Sequence, residues 1–290
     1  MFLKIRFFQF VYRGRINSPY VSGDSIASCV DYLAYGTSST DPIDGNRLNE
    51  ARSIFVVGHR LRELLENHGP DITAKVIVSG NSDENFVTPL VLPKSVAVLL
   101  CQNNAMPAHP RIRTLPIGLE NIRLGRSGRK VFHEEVSNFE IDDRILVPPM
   151  SPTNQIRIHV VEQALMKPDL FDVLQTLLSE RPYFRMTKRY RFIFCCEGNG
   201  FENHRIWETL YQNSFPVMLE TPWSTSLKWL KLPILFVKNL EELNSDLLAQ
   251  FLSTNQDFRA SNAEQLWVSF WNSIIKSGNA NSVSSLKNSQ

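Results

Sequence analysis

The residues best equipped for chemistry lie close together: Glu197, Gly198, Asn199, Gly200, His204, Arg205 and Glu208. Two glycines one residue apart let backbone N–H groups approach an anion, and the first amides of a following helix add partial positive charge. His204 and Glu208 are four apart and Arg205 and Glu208 three apart, so on a helix all three project from one polar side. Arg205 would fall in the first turn, where helix electrostatics favour an anion over a cation, and a bound diphosphate resolves that conflict. Glu208, one turn deeper, suits hydrogen bonds from ribose hydroxyls. An ordinary glycine turn followed by a surface Arg–Glu pair fits the same residue types.

The flanking sequence says how these groups are held. Residues 191–196 form an apolar, β-prone run, 197–200 a tight turn, 203–211 a stretch with Ile206 and Leu210 at helical spacing, and 215–219 a second short strand. Strand, glycine loop, helix and strand make a βαβ unit of a parallel sheet. The loop then lies at the carboxyl ends of the strands, where open α/β sheets bind ligands.

This stretch resembles the C-terminal signature of exostosin-like glycosyltransferases and of related families with the two-domain GT-B fold, roughly F-x-x-C-P-E/R-G-x-G-x-x-x-x-R-x-W-E-x-L-x-x-G-x-I-P-V. Glu197, Gly198, Gly200, Arg205, Trp207, Glu208, Leu210, Pro216 and Val217 match in type and spacing. Cys196 stands where proline is usual and Asn213 where glycine is usual. In GT-B enzymes a T-N-x-x-R segment near the donor phosphate opens the C-terminal domain, and Thr153, Asn154 and Arg157 match it. Taken alone, Thr153 reads as a helix cap.

In chain order, residues 1–15 (MFLKIRFFQFVYRGR) are apolar but broken by Lys4, Arg6 and Gln9. A first β-strand is the expectation, with weak peripheral membrane contact as the alternative. Ser22, Gly23 and Asp24 form a capping stretch before a helix in which Ile26, Val30 and Leu33 share a face, and residues 36–52 read as a surface loop. Strands follow at 53–57, 74–78, 96–101 and 113–116, with a helix at 59–68. Three of these strands end in polar clusters, S-G-N-S-D at 79–83, Q-N-N at 102–104 and P-I-G-L-E-N at 116–121. In a parallel sheet such ends line one edge, where they suit a hydroxyl-rich substrate, although Asn, Gly and Asp also make plain turns. The pattern is similar to the N-terminal half of exostosin-like and fucosyltransferase-like enzymes. Residues 125–130 (GRSGRK) read as a solvated basic loop and 138–143 as a linker. Further on come a strand at 144–147, helices at 155–165 and 240–252, a strand at 233–237 and a broad-faced helix at 262–276, with residues 277–290 expected to be disordered.

Composition narrows the field. The 290 residues suffice for two modest domains, and 31 basic against 29 acidic residues give a net charge of +2, so charge makes no case for nucleic acid. Cys29, Cys101, Cys195 and Cys196 show no C-x-x-C pair or zinc spacing and read as reduced core residues. No Walker loop, G-x-G-x-x-G fingerprint, H-E-x-x-H helix, G-x-S-x-G elbow or strand-end D-x-D pair is present.

The expectation is therefore an α/β chain of two Rossmann-like parallel-sheet domains facing a cleft, GT-B-like with a reduced N-terminal domain. Residues 1–140 would hold the acceptor and 141–276 the donor. The lack of a strand-end D-x-D pair favours metal-independent transfer, and the resemblance implies transfer of a sugar from a UDP- or GDP-sugar, with no other cofactor, to a glycan or lipid-linked glycan in polysaccharide biosynthesis. It would act in the cytoplasm or at the inner face of a membrane. Thr153, Asn154, residues 197–200, His204, Arg205 and Glu208 would bind the donor. Asp24, Asp83 and Glu120 are the candidates for a base toward the acceptor hydroxyl. A non-catalytic nucleotide- or carbohydrate-binding homologue of the same fold is the alternative.

Overall fold

A computed structural model describes residues 18–34, 43–124, 140–152 and 154–279. The expected N-terminal strand, the basic loop at 125–130, Thr153 and most of the C-terminal tail lie outside the described residues. Two compact units emerge, Met1–Ile117 with Trp267–Gln290, and Gly118–Leu266. The division falls earlier than residue 140, and the C-terminal helix groups with the first unit rather than with the donor half.

The first unit carries a five-stranded, all-parallel sheet in sequential order: β1 (Tyr32–Leu33), β2 (Ser53–Val57), β3 (Val76–Gly80), β4 (Val98–Cys101) and β5 (Ile112–Thr114). Successive side chains alternate between two buried faces. Ile54, Val56, Ile77, Leu99 and Cys101 join one core with Leu48, Leu61 and Leu64 from helices α2 (Gly45–Glu50) and α3 (Leu61–His68). Phe55, Val76, Val78, Val98 and Leu100 alternate with them and are also buried. The crossovers at 81–97 and 102–111 contain no helix, and Arg111 ties them together by donating to Pro93 O (3.0 Å) and Val96 O (2.9 Å).

Local competition explains two departures from the periodicity. Helix α1 (Gly23–Ala27) ends well short of Leu33. The Asp31 carboxylate accepts from Arg52 N, Ser53 N and Ser53 Oγ at 3.0–3.1 Å, which latches the next residues onto β2 as strand β1. Helix α2 stands inside the expected loop, capped by Asp44 and burying only Leu48, too little to leave an apolar stripe. The cap of α1 is Ser22, in a reciprocal box with Ser25, so Asp24 does not serve as the cap.

The second unit holds another five-stranded parallel sheet: β6 (Asp142–Val147), β7 (Phe171–Val173), β8 (Tyr190–Phe194), β9 (Phe215–Leu219) and β10 (Leu235–Val237), in the order β10-β9-β8-β6-β7. Phe192, Phe194, Phe215 and Val217 pack with α4 (Gln155–Leu165) and α8 (Ser245–Asn255) on one face. Ile193 and Met218 alternate to the other side, and α5 (Glu180–Thr187), α6 (His204–Tyr211) and the short α7 (Pro222–Thr225) bury Phe184, Ile206, Trp207, Leu210 and Trp223 outside that cluster. This order reverses direction between β6 and β8, the topological switch point at which such sheets open a ligand crevice. The expectation of parallel-sheet α/β units in both halves thus holds. Helix α5 and strand β7 escaped the sequence pattern, because Pro182 in the first turn of α5 reads as a breaker and β7 buries only Phe171 fully.

Candidate functional site

The loops after β6 and β8 meet at the switch point. Asn154 caps α4 through Arg157 N (3.0 Å), and its amide donates to Gly198 O at 3.4 Å. Arg157, one turn into α4, donates through Nε to Glu197 O (2.7 Å) and through Nη1 to Ser151 O (3.1 Å). From the other side Arg205, in the first turn of α6, donates through Nε to the Tyr183 hydroxyl (3.1 Å) and through Nη2 to Pro149 O (3.2 Å). Both guanidiniums are therefore fixed by neutral oxygens, most of them backbone carbonyls of the same two loops.

Their fields overlap. Burial chiefly lowers the pKa of Arg157, opposed by Cys196 and helped by a smaller repulsion from Arg205. Burial alone would lower Arg205 too, but Tyr183, Cys195 and Glu208 carry it above the ordinary guanidinium value. Burial raises the Tyr183 hydroxyl to about 12, Arg205 opposing. Two cations that act on one another and are held by neutral acceptors have the charge that an anion would need. Asn203, the N-cap of α6, gives no side-chain cap and instead donates to Cys196 O, so the helix's first amides are not capped by it.

The glycine turn works by space rather than by handedness. Gly198 and Gly200 do not adopt positive φ, but a Cβ on Gly198 would sit 3.2 Å from Glu202 O and 3.4 Å from Gly200 O. Asn199 is exposed at the tip and Gly200 is buried. The Glu197 carboxyl turns away to bond Thr221, and burial, only partly offset by that bond, raises its pKa. Both departures from the signature are accommodated. Cys196 is buried and its carbonyl takes the Asn203 amide. Asn213 adopts the left-handed conformation (φ 62°) that glycine usually fills, and its Oδ1 accepts Ala260 N at 2.8 Å. Asn213→Ala therefore loses a tolerated αL residue and a hydrogen bond, a cost of about 2 kcal/mol in a denaturation midpoint. Asn213→Gly loses only the bond and costs about half that.

His204 is held by a 2.8 Å contact between Nδ1 and Gly118 O, and Glu208 lies one turn further on, partly buried. Burial pushes the Glu208 carboxyl up to about 7, Arg205 opposing and Glu120 and Glu180 adding to the rise. In the unfolded chain this group titrates near 4.5. The folded form holds the extra proton, so its contribution is full below about pH 4.5 and is lost as pH rises through 7. Glu208→Gln removes the loss. Relative to wild type the variant gains about 2 kcal/mol between pH 5 and pH 8, read as a widening difference in Tm.

Of the expected site residues, Asn154, Glu197, Gly198, Asn199, Gly200, His204, Arg205, Glu208 and Glu120 all belong to the second unit, Glu120 close enough for its charge to act on Glu208. Asp24 and Asp83 belong to the first unit. There the strand-end clusters do converge: Asn81 donates to Asp24 Oδ1 (3.1 Å), Gln102 Oε1 accepts Asn81 N (2.9 Å) and Gln102 Nε2 donates to Pro116 O (3.2 Å). A Cβ on Gly23 would fall 1.7 Å from Asn81 Oδ1, so glycine is what lets this cluster close. Asp24 is buried within it, whereas Asp83 is exposed on the loop.

Tyr183 was not legible as a site residue because its helix was missed. Arg157 was marked only by the match of residues 153–157 to the T-N-x-x-R segment. Among the described residues no group of three or more His, Cys, Asp or Glu side chains is arranged to hold a metal, and no helix is long and apolar enough to cross a membrane. No protein-family model matches the chain, and no curated protein matches it either.

Proposed function

We propose that the chain is a GT-B-like glycosyltransferase, akin to the exostosin-like enzymes its signature resembles, that takes a sugar from a UDP- or GDP-sugar. The observation that carries this reading is the convergence of Arg157 and Arg205 on the loops after β6 and β8 at the switch point. That arrangement suits a diphosphate, whose charge grows as the glycosidic bond breaks. The two guanidiniums and the first turn of α6 would stabilise the leaving group without a metal. Glu208 and His204 would face the ribose. The first unit's polar strand ends would hold a glycan or lipid-linked acceptor, with Asp24, Asp83 and Glu120 as candidates for the base. Work at the cytoplasmic face of a membrane, in assembly of a polysaccharide, fits such a substrate pair.

The test is thermal stabilisation by UDP, GDP, CMP and their sugars, followed by donor hydrolysis with whichever sugar binds. A ligand present at a hundred times its Kd stabilises by about 2.7 kcal/mol, a shift of several degrees. No shift with any nucleotide at millimolar concentration removes the transferase reading.

A further inference from the structure

Arg205 and Glu208 stand three residues apart on α6, the spacing at which opposite charges on a helix meet, yet among the described residues no ion pair joins them. Arg205 spends Nε on the Tyr183 hydroxyl and Nη2 on Pro149 O instead. An ionised carboxylate one turn away would outcompete either, since hydrogen bonds between charged partners are the stronger ones. Its failure to do so calls for a reason.

Glu120, in the same unit, supplies one. Its Oε2 is buried with no hydrogen-bond donor among the described residues, a costly state for a carboxylate oxygen. His204, one turn before Glu208, makes its 2.8 Å contact with Gly118 O, two residues from Glu120, and Leu119 between them is fully buried. That anchor sets Glu120 against α6, where its charge acts on Glu208. Two carboxyls so placed do not both ionise, and a proton on one is the donor that the other lacks. Burial assigns the proton to Glu208, whose carboxyl is pushed up to about 7 with Arg205 opposing. Glu180 of α5 adds to the rise, while Tyr183 and Cys195, which feel the Glu208 charge, are kept neutral by burial.

We infer that Glu120 and Glu208 hold one proton between their carboxyls, and that this proton keeps Glu208 from pairing with Arg205 and so leaves the guanidinium open to a diphosphate. The inference rests on the donor-site reading above. The Glu208 O–H donates to Glu120 Oε2, its carbonyl oxygen remains able to accept a ribose hydroxyl, and Arg205 keeps its charge for the phosphates. Above neutrality the proton leaves, Glu208 turns to Arg205, and the anion loses the cation it binds. Toward the diphosphate Glu208 is thus a positioning residue, acting through Arg205.

Calorimetry of the full chain with UDP-glucose and GDP-mannose tests this, because their diphosphates are diesters and have no phosphate proton to lose near neutrality. Wild type should lose about tenfold in affinity for whichever probe binds between pH 6 and pH 8.5. Glu208→Gln, which cannot ionise, should hold its affinity across that range, and Glu120→Gln, which removes the like charge, should bring the loss to lower pH. His204→Gln controls for the imidazole on the same helix and should leave the loss in place. An affinity that falls as steeply in Glu208→Gln, or that does not fall in wild type, overturns the shared proton while the donor site stands. Binding of neither probe at pH 6 overturns the donor-site reading. The infrared C=O stretch of a protonated carboxyl then decides the shared proton by itself: it is stronger at pH 6 in wild type than in Glu208→Gln if the pair exists, and equal in the two if it does not.

Discussion

Arg205→Ala should abolish measurable nucleotide binding, a loss of a hundredfold or more, while the protein keeps its fold. The size follows from where the guanidinium sits. Tyr183 and Pro149 O hold its Nε and Nη2 in place, so little side-chain entropy remains to be lost when an anion arrives. A charge-assisted bond to phosphate in a desolvated site contributes about 1.5–3 kcal/mol, and removing the group also strips positive field from its neighbour Arg157. Arg205→Lys should recover only part, since an ammonium cannot reach Tyr183 and Pro149 O and still fork to a phosphate.

Stability provides the internal control. Alanine leaves the Tyr183 hydroxyl and the Glu208 carboxyl without their cation, and Arg205 opposes the raised pKa of both. Glu208 should therefore titrate above its present value of about 7, and the loss of stability that sets in near pH 4.5 should continue to a higher pH in the variant. A variant that unfolds less readily at pH 5 than at pH 8 but binds no nucleotide at either pH separates the anion role from a packing role. Undiminished GDP and UDP affinity in Arg205→Ala would falsify the donor-site reading.

What sequence could reveal here depended on distance along the chain. The βαβ unit around the glycine loop was legible because strand, turn and helix each declare themselves within a few residues, and β8, α6 and β9 fall close to where they were expected. The strand order was not, because nothing local distinguishes β10-β9-β8-β6-β7 from a sequential sheet. Yet that order brings Asn154 to Gly198 and Arg157 to Glu197, 44 and 40 residues away. Tyr183 was hidden for a different reason: α5 begins with Glu180-Arg181-Pro182 and buries only Phe184 and Thr187, too few for a helical stripe. The spacing argument for Arg205 and Glu208 held as electrostatics, since each shifts the other's pKa, although no surface ion pair results. Burial, not the spacing, sets the direction of the Glu208 shift.

Trp271→Ala should destabilise the first unit by about 3–5 kcal/mol and leave the second unit's own amides protected. Helix α9 (Val268–Ser277) carries the wide apolar face that the sequence announced, with Phe270, Trp271, Ile274 and Ile275 buried and Trp271 at 0% exposure. Its position in the chain suggested the donor domain. Its contacts say otherwise. Val268 N donates to Pro19 O at 2.9 Å, Tyr20 pairs with Trp267 with ring centroids 5.4 Å apart, and α9 ends at Gly278, where an added Cβ would touch Lys75 and Val76 beside β3. The helix packs with α1 and belongs to the unit whose other members precede residue 118. Hydrogen exchange checks this directly: amides of β2, β3 and β4 should exchange faster in the variant, and those of β8 and β9 at the wild-type rate. Faster exchange confined to β8 and β9 would assign the helix to the second unit instead. Removing residues 267–290 should have the stronger effect, because it takes away the whole buried face of α9 as well as the Tyr20–Trp267 pairing. The chain thus closes its first unit only after the second has been made, so the first unit cannot complete its core until α9 has left the ribosome.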